Sequence, residues 1–371
     1  MASLLTIPPE LRHDIIERVL LYERLPPRDI VTERANREPA PHYTAVEAPP
    51  DVTSWVFLER SLHPPNADGL LCTNRQLAYE THAIIKRLNP EYKLDLLLVD
   101  EAQLWPTWTC LPVSAHFIDR VHVSIASIGE PASGAWLWSY RGPPKCMWAM
   151  YFLLELYLVR GFTYHHLDVD RHPGRPIVVR NIILDFKDLC DTPAGHMVTS
   201  ANVRTFMATP DESLAALYPD YLTWRRRTVQ GAPGPGPVDS RTTAPWFARV
   251  VRHFVRLLLT DDGSIRSAGV LHRRVGVIDI AVRGDTVDAF DVAVALSLLD
   301  IPDNLDSDDP PLFTMPGPFY RLISANHRGY LSRFLKHMEE VLRTRGKLGL
   351  PVPSKTLVQR HEWTPEAPAL D

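Results

Sequence analysis

Between residues 165 and 172 the chain reads His165-His166-Leu167-Asp168-Val169-Asp170-Arg171-His172, three imidazoles and two carboxylates in eight residues. Imidazole nitrogens and carboxylate oxygens are ligands for divalent metals. Side chains alternate along an extended segment, so His166, Asp168, Asp170 and His172 share one side and form the candidate metal set. A solvated turn leading into Pro173-Gly174 accounts for the same residues. No H-E-x-x-H pair, with its two histidines one helical turn apart, is present. The expectation is a chain without a cofactor, with a metal-dependent enzyme centred on these four residues as a rival.

Other chemistries lack their patterns. There is no G-x-S-x-G elbow to expose a nucleophilic serine and no G-x-x-x-x-G-K-[ST] loop to cradle phosphate. The glycines at 231–236 alternate with proline, which removes the N–H groups an anion would need. Cysteine–histidine pairing decides nothing in a chain with 4 cysteines and 15 histidines. Asp261-Asp262 and Asp308-Asp309 adjoin glycine or proline and read as solvated turns. The chain is therefore expected not to be an enzyme.

One basic region is a candidate surface. From Trp224 to Arg283 there are eleven arginines, no lysines and four aspartates, a local charge of +7. Arg249, Arg252 and Arg256 fall on one face of a helix expected at 246–260, opposite Val251, Phe254 and Leu258. With Arg225-Arg226-Arg227 they could meet an anionic partner. A solvated helix face balanced by the acidic loop at 300–309 explains them as well. The whole chain carries a net charge of −4 and a pI near 6.4, so nothing global argues for nucleic acid or an anionic membrane as partner.

The elements that would position such groups follow from periodicity. Pro9 to Tyr22 reads as a helix: proline suits the first turn, Glu10 suits the positive end of the dipole, and Leu11, Ile15, Ile16, Val19 and Leu20 recur at helical spacing. Residues 23–69 form a long proline-broken connection with one apolar island, Trp55 to Leu58, that is a strand or a turn of helix. Leu70 to Leu88 reads as one helix stopped at Asn89-Pro90. Strands are expected at Tyr92 to Leu96, Phe117 to Ile125, Ile177 to Phe186 and Val275 to Val282. Helices are expected at Pro143 to Val159, Trp246 to Thr260 and Arg321 to Arg345, and Val287 to Leu299 fits either state.

Cys146 to Val159 is apolar but holds Glu155 and is too short to span a bilayer, so it reads as a buried core helix. Met1 to Ile7 has no basic leader, and Pro8-Pro9-Glu10 ends its apolar run. Cys72, Cys110, Cys146 and Cys190 lie far apart without a C-x-x-C pair and read as reduced, buried thiols in an intracellular, cytoplasmic or nuclear, protein.

The expected fold is α+β (mixed α/β): an N-terminal helical pair joined to a larger sheet-and-helix body. An irregular leucine-rich arrangement stays open, because the strands are too widely spaced for a regular one. The divisions are 1–90 for the helical region with its proline-rich insertion, 91–350 for the body and 351–371 for a proline-rich tail. The 34 prolines, against a usual ~5% of residues, predict many irregular loops.

The N-terminal pieces resemble a group of fungal F-box-like proteins. These open with a Leu-Pro-x-Glu-Leu-Arg-x-x-Ile type helix, here Ile7-Pro8-Pro9-Glu10-Leu11-Arg12 followed by Ile15 and Ile16. Their second helix carries a Cys/Asn-Arg-Gln core and a later glutamate, here Cys72-Thr73-Asn74-Arg75-Gln76 and Tyr79-Glu80. Tyr92 to Leu98 and Ile118 to Val123 look similar to the strands that follow. The match covers about the first third of the chain, and a long insertion separates Leu21 from Leu70, where an ordinary F-box keeps the two helices close.

The resemblance implies recruitment of a target to a cullin-type ubiquitin ligase through its small adaptor subunit. That is binding without chemistry: an apolar helix face laid into a groove, with Leu11, Ile15 and Val19 as the contacts. The competing expectation is that this stripe packs on Leu77, Ile84 and Ile85 inside the protein, leaving a scaffold domain without adaptor contact.

Overall fold

Proline at the first helical position and Glu10 beside it start α1 (Pro9–Leu20), as the sequence predicts. The computed structural model of the chain describes residues 4–27, 29–40, 55–61, 63–100, 103–128, 145–162, 176–188, 244–260, 265–299 and 327–353. The long connection after α1 carries a short α2 (Ile30–Arg34) and two small antiparallel strands, β1 (Arg37–Pro39) and β2 (Phe57–Glu59). The apolar island before residue 59 thus contributes to a strand.

The single helix expected over 70–88 is two helices, α3 (Asp68–Thr73) and α4 (Arg75–Leu88). Asn74 divides them. Its backbone is extended, with φ −161° and ψ 168°, and its side-chain oxygen accepts the Leu77 N–H at 3.0 Å. Asparagine is among the best residues for capping a helix N-terminus in this way, which is why the break falls there. Asn89, left-handed at φ 44°, closes α4 ahead of Pro90.

The body contains β3 (Tyr92–Val99), β4 (Gln103–Cys110), β5 (Phe117–Ile128), α5 (Lys145–Arg160), β6 (Val178–Lys187), α6 (Ala244–Thr260), α7 (Ile265–Arg274), β7 (Val275–Val282), β8 (Asp285–Asp291), α8 (Val292–Leu298) and α9 (His327–Lys347). The six strands form one mixed sheet in the order β4-β3-β5-β6-β7-β8. β3, β5, β6 and β7 are parallel and lie in chain order, while β4 and β8 are antiparallel edges. The class is mixed α+β, as expected.

The sequence pattern announces neither β4 nor α7. Pro106 within β4 argues against a central strand, but an edge strand tolerates it. The ambiguous stretch 287–299 is both states. β8 ends at Asp291, whose carboxylate accepts the Ala293 and Val294 N–H groups and starts α8.

Alternation divides the sheet into two faces. Leu94, Leu96, Leu98, Val121, Val123, Ile125, Ile182, Leu184, Phe186, Ile278 and Ile280 join one core with α5, α6, α8 and α9. Consecutive parallel strands added in one direction by crossovers of one hand send every connection over the same face. Every side chain from Cys146 to Val159 is buried or half-buried, Glu155 included, so α5 is a core helix. No helix among the described residues is long and apolar enough to cross a membrane. On the opposite face, Leu97, Val99, Trp105 and Ala126 are covered by Ile30 and Phe57 from the N-terminal connection.

Two close contacts shape the far end. A Cβ on Gly276 would stand 2.4 Å from the Arg180 carbonyl oxygen, so only glycine fits between β6 and β7 there. The Arg345 side chain of α9 is fully buried and donates to the carbonyls of His272 (2.7 Å), Val275 (2.8 Å) and Pro351 (2.7 Å), clasping α9 to the α7–β7 junction.

Candidate partner-binding surface

α1 has two unlike sides. Its inner edge, Arg12, Ile16 and Leu20, is buried, and Ile16 and Leu20 pack on Ala67, Leu77 and Ile84. Arg12 makes a two-pronged bond to Glu80 of α4, Nε to Oε2 at 2.5 Å and Nη2 to Oε1 at 2.7 Å, and also donates to the Ile7 carbonyl at 3.1 Å. Gln76 steadies Glu80 from one turn away at 3.1 Å. The bond to Arg12 holds the Glu80 carboxyl below the usual carboxylate range against the effect of burial. The polar residues of the N-terminal motifs therefore fasten α1 to α4 inside this chain. The long insertion between them in the sequence does not keep the two helices apart.

The outer edge is where the candidate residues stand. Leu11 is 57% exposed, Ile15 is 38% exposed and Val19 is half-buried. The stripe that packs on Leu77 and Ile84 is the neighbouring one, Ile16 and Leu20. Of the three candidates, the structure brings Ile15 and Val19 together as walls of a shallow groove of about 320 Å³, with Arg18, Tyr22 and Asn66. Leu11 continues the ridge one turn before Ile15. The groove is lined by aliphatic side chains, a phenol, a guanidinium and an amide.

Sequence reasoning missed Tyr22 and Asn66. Tyr22 lies two helical turns after Ile15 and so extends the stripe, a signal present in the sequence. Asn66 comes from the far side of the connection, and nothing in its local sequence announces its place.

The remaining candidates fare differently. His166, Asp168, Asp170 and His172 lie outside the described residues, as do Arg225 to Arg227 and Cys190. Among the described residues no group of three or more His, Cys, Asp or Glu is arranged to hold a metal. The candidate arginine face on α6 is only partly exposed. Arg249 is buried and Arg252 pairs with Asp288, which leaves Arg256 as the exposed member. Further along, Arg273 pairs with Glu340 at 2.9 Å and Arg283 with Asp188 at 2.7 Å. Those guanidiniums are committed within the fold. Cys110 and Cys146 are buried thiols as expected, but Cys72 is exposed, because it sits on the outer side of the short α3. Burial pushes the Cys110 thiol up to about 11.

The sheet face opposite α5 and α6 also holds a polar pair that the sequence does not suggest. The Asp185 carboxylate is buried, lies 3.4 Å from His122 Nε2 and accepts the Gly284 N–H at 2.8 Å. Burial works to raise the Asp185 carboxyl, but His122, the Gly284 amide and Lys187 outweigh it and hold it low. Its task is to anchor the β7–β8 turn, a tight hairpin connection of the kind that needs left-handed residues. Arg283 and Gly284 supply them, with φ 55° and 87°. No family model, no curated protein and no solved structure matches this chain.

Proposed function

We propose that this protein is a non-enzymatic recruiter that binds a partner through the outer edge of α1. In the form its N-terminal resemblance implies, the module is F-box-like and the partner is the small adaptor subunit of a cullin-type ubiquitin ligase. The observation that carries the proposal is a concentration of exposed apolar side chains. Among the described residues twelve large hydrophobics are exposed, and four of them, Leu11, Ile15, Leu21 and Tyr22, lie in α1 or within two residues of its end, with Ile15 and Tyr22 on one groove. Apolar residues scattered singly over a surface need no explanation, but a cluster does.

Two further facts support the reading. Ile16, Leu20 and the Arg12–Glu80 bond hold α1 in place from behind, and Leu11 and Ile15 on its outer edge stay exposed. The groove between Ile15 and Tyr22 offers a partner's aliphatic side chain a place to insert, and apolar helix faces dock into partners in this manner.

The test is recovery of the adaptor subunit on immobilised protein, wild type against Ile15→Asp, with circular dichroism to establish that both are folded. Adaptor retained by the wild type and lost by Ile15→Asp is the expected result. Equal recovery by both, or recovery by neither, removes the ubiquitin-ligase proposal.

A further inference from the structure

One wall of the groove on α1 belongs to a distant part of the chain. The side-chain NH2 of Asn66 donates to the carbonyls of Leu20 at 3.1 Å and Tyr22 at 3.0 Å. Both partners are acceptors only, so the amide can face them with nothing but its nitrogen. Leu20 is the last residue of α1 and Tyr22 lies just past its end. The final carbonyls of a helix have no partner within it, and left to water the last turn frays.

Asn66 is itself held from behind. Its backbone N–H donates to the Leu111 carbonyl at 2.7 Å, and that of Ala67 to the Pro112 carbonyl at 2.9 Å, directly after edge strand β4. From the other side, the Arg24 N–H donates to the Thr109 carbonyl at 2.9 Å, so the chain leaving Tyr22 is also tied to β4.

We propose that Asn66 is the positioning residue of the docking groove. It fixes Tyr22, which continues the stripe of Ile15 and Val19, as a wall of the groove and references that wall to the sheet. The inference rests on the reading of α1 as a docking helix. Tyr22 is 62% exposed, so the place of its ring follows from its backbone, which the Asn66 amide restrains together with the Tyr22 N–H bond to the Val19 carbonyl at 3.2 Å. A wall already in place spares the partner the entropy of ordering it on binding.

The test measures adaptor affinity by calorimetry for wild type, Asn66→Ala, Asn66→Asp and Ile278→Val, a core trim far from the groove that lowers stability without touching it. Amide hydrogen exchange over residues 19–25 is followed in parallel. Asn66→Ala is expected to speed exchange in that segment and weaken the adaptor about tenfold, the equivalent of one lost cap. Asn66→Asp is expected to weaken it further, because a carboxylate then faces two carbonyl oxygens. If that variant does not fold, Asn66→Ala carries the test. Ile278→Val should bind as the wild type does. Wild-type affinity in the folded Asn66 variants, or an equal loss in Ile278→Val, overturns the role of Asn66 while leaving the docking reading intact. A wild type that does not bind the adaptor overturns both.

Discussion

α1 and α9 are both pinned by a buried arginine, and they differ in what stands among the charges they expose. On α9 the inner positions Met338, Val341 and Arg345 are buried, while Lys336, Glu339, Glu340 and Arg343 face out. That is the ordinary pattern of a helix at the edge of a domain. On α1 the inner positions Arg12, Ile16 and Leu20 are buried just as well, yet Leu11 and Ile15 are exposed at positions where α9 carries Lys336 and Glu340. Fastening a helix to this body does not require an apolar outer edge. The two arginines also differ in what they hold. Arg12 meets a carboxylate, whereas Arg345 meets three backbone carbonyls, and burial lowers its pKa to about 10.

The largest expected effect breaks the α9 clasp. Arg345→Leu keeps an apolar stem and strands the carbonyls of His272, Val275 and Pro351. Hydrogen bonds to a charged group contribute ~1.5–3 kcal/mol each, so a loss on the order of 5 kcal/mol in urea unfolding is expected. A loss below about 1 kcal/mol, less than one such bond, would mean that the clasp holds nothing together.

Acid separates the two fastenings next. Burial pushes His272 down to about 3, and burial with the nearby Arg273 charge pushes His337 down to about 4. In both the folded pKa lies below the unfolded value of ~6.5, so the unfolded chain takes up protons first as the pH falls. Their contribution is complete above ~6.5 and is lost progressively down to the folded values. His272 alone accounts for on the order of 4 kcal/mol by about pH 3. The Arg12–Glu80 bond responds elsewhere. Glu80 is lowered, so its contribution is intact above the ordinary carboxylate range and fades only as the pH falls through its folded value. Urea midpoints between pH 7 and 4 should therefore drop for the wild type and drop less steeply in His272→Leu, where His337 alone of the pair remains. An unchanged slope in that variant would assign the acid response to other groups.

How much of this the sequence discloses depends on the range of the interaction responsible. Strong periodic runs are legible: α1, α5, α6 and strands β3, β5, β6 and β7 follow from side chains that must share a face. The outer candidates on α1 are legible too, since Leu11, Ile15 and Val19 lie on a recognisable stripe. Their separation from Ile16 and Leu20 is not, because a broad apolar stripe does not say which of its edges turns inward. Local capping settles two further points that periodicity cannot. Asn74 splits an apparently continuous helix, and Asp291 turns an ambiguous apolar run from strand into helix. Asn66 is beyond reach because its partners lie 44 and 46 residues away and the bond uses backbone carbonyls that any sequence supplies. The arginines of α6 mislead for a related reason. A helical wheel shows Arg249, Arg252 and Arg256 together but not the acidic strand β8, whose Asp288 takes Arg252.

The smallest expected effect is the most direct comparison of the two edges, because it concerns adjacent residues. Ile16 is fully buried against Leu77 and Ile84, and Ile15 beside it is 38% exposed. Removing a buried isoleucine to alanine costs about 2–5 kcal/mol, whereas a surface substitution usually stays within about 0.5 kcal/mol. Ile16→Ala should therefore lose about 3 kcal/mol in urea unfolding, and Ile15→Ala should be indistinguishable from the wild type. On α9 the corresponding contrast is Val341→Ala against Glu339→Ala, with the same sign and a smaller cavity. If Ile15→Ala proves as costly as Ile16→Ala, the outer edge of α1 serves the fold itself. Leu11, Ile15 and Val19 would then have a structural reason to be apolar, and the case for a docking surface would lose its main physical support.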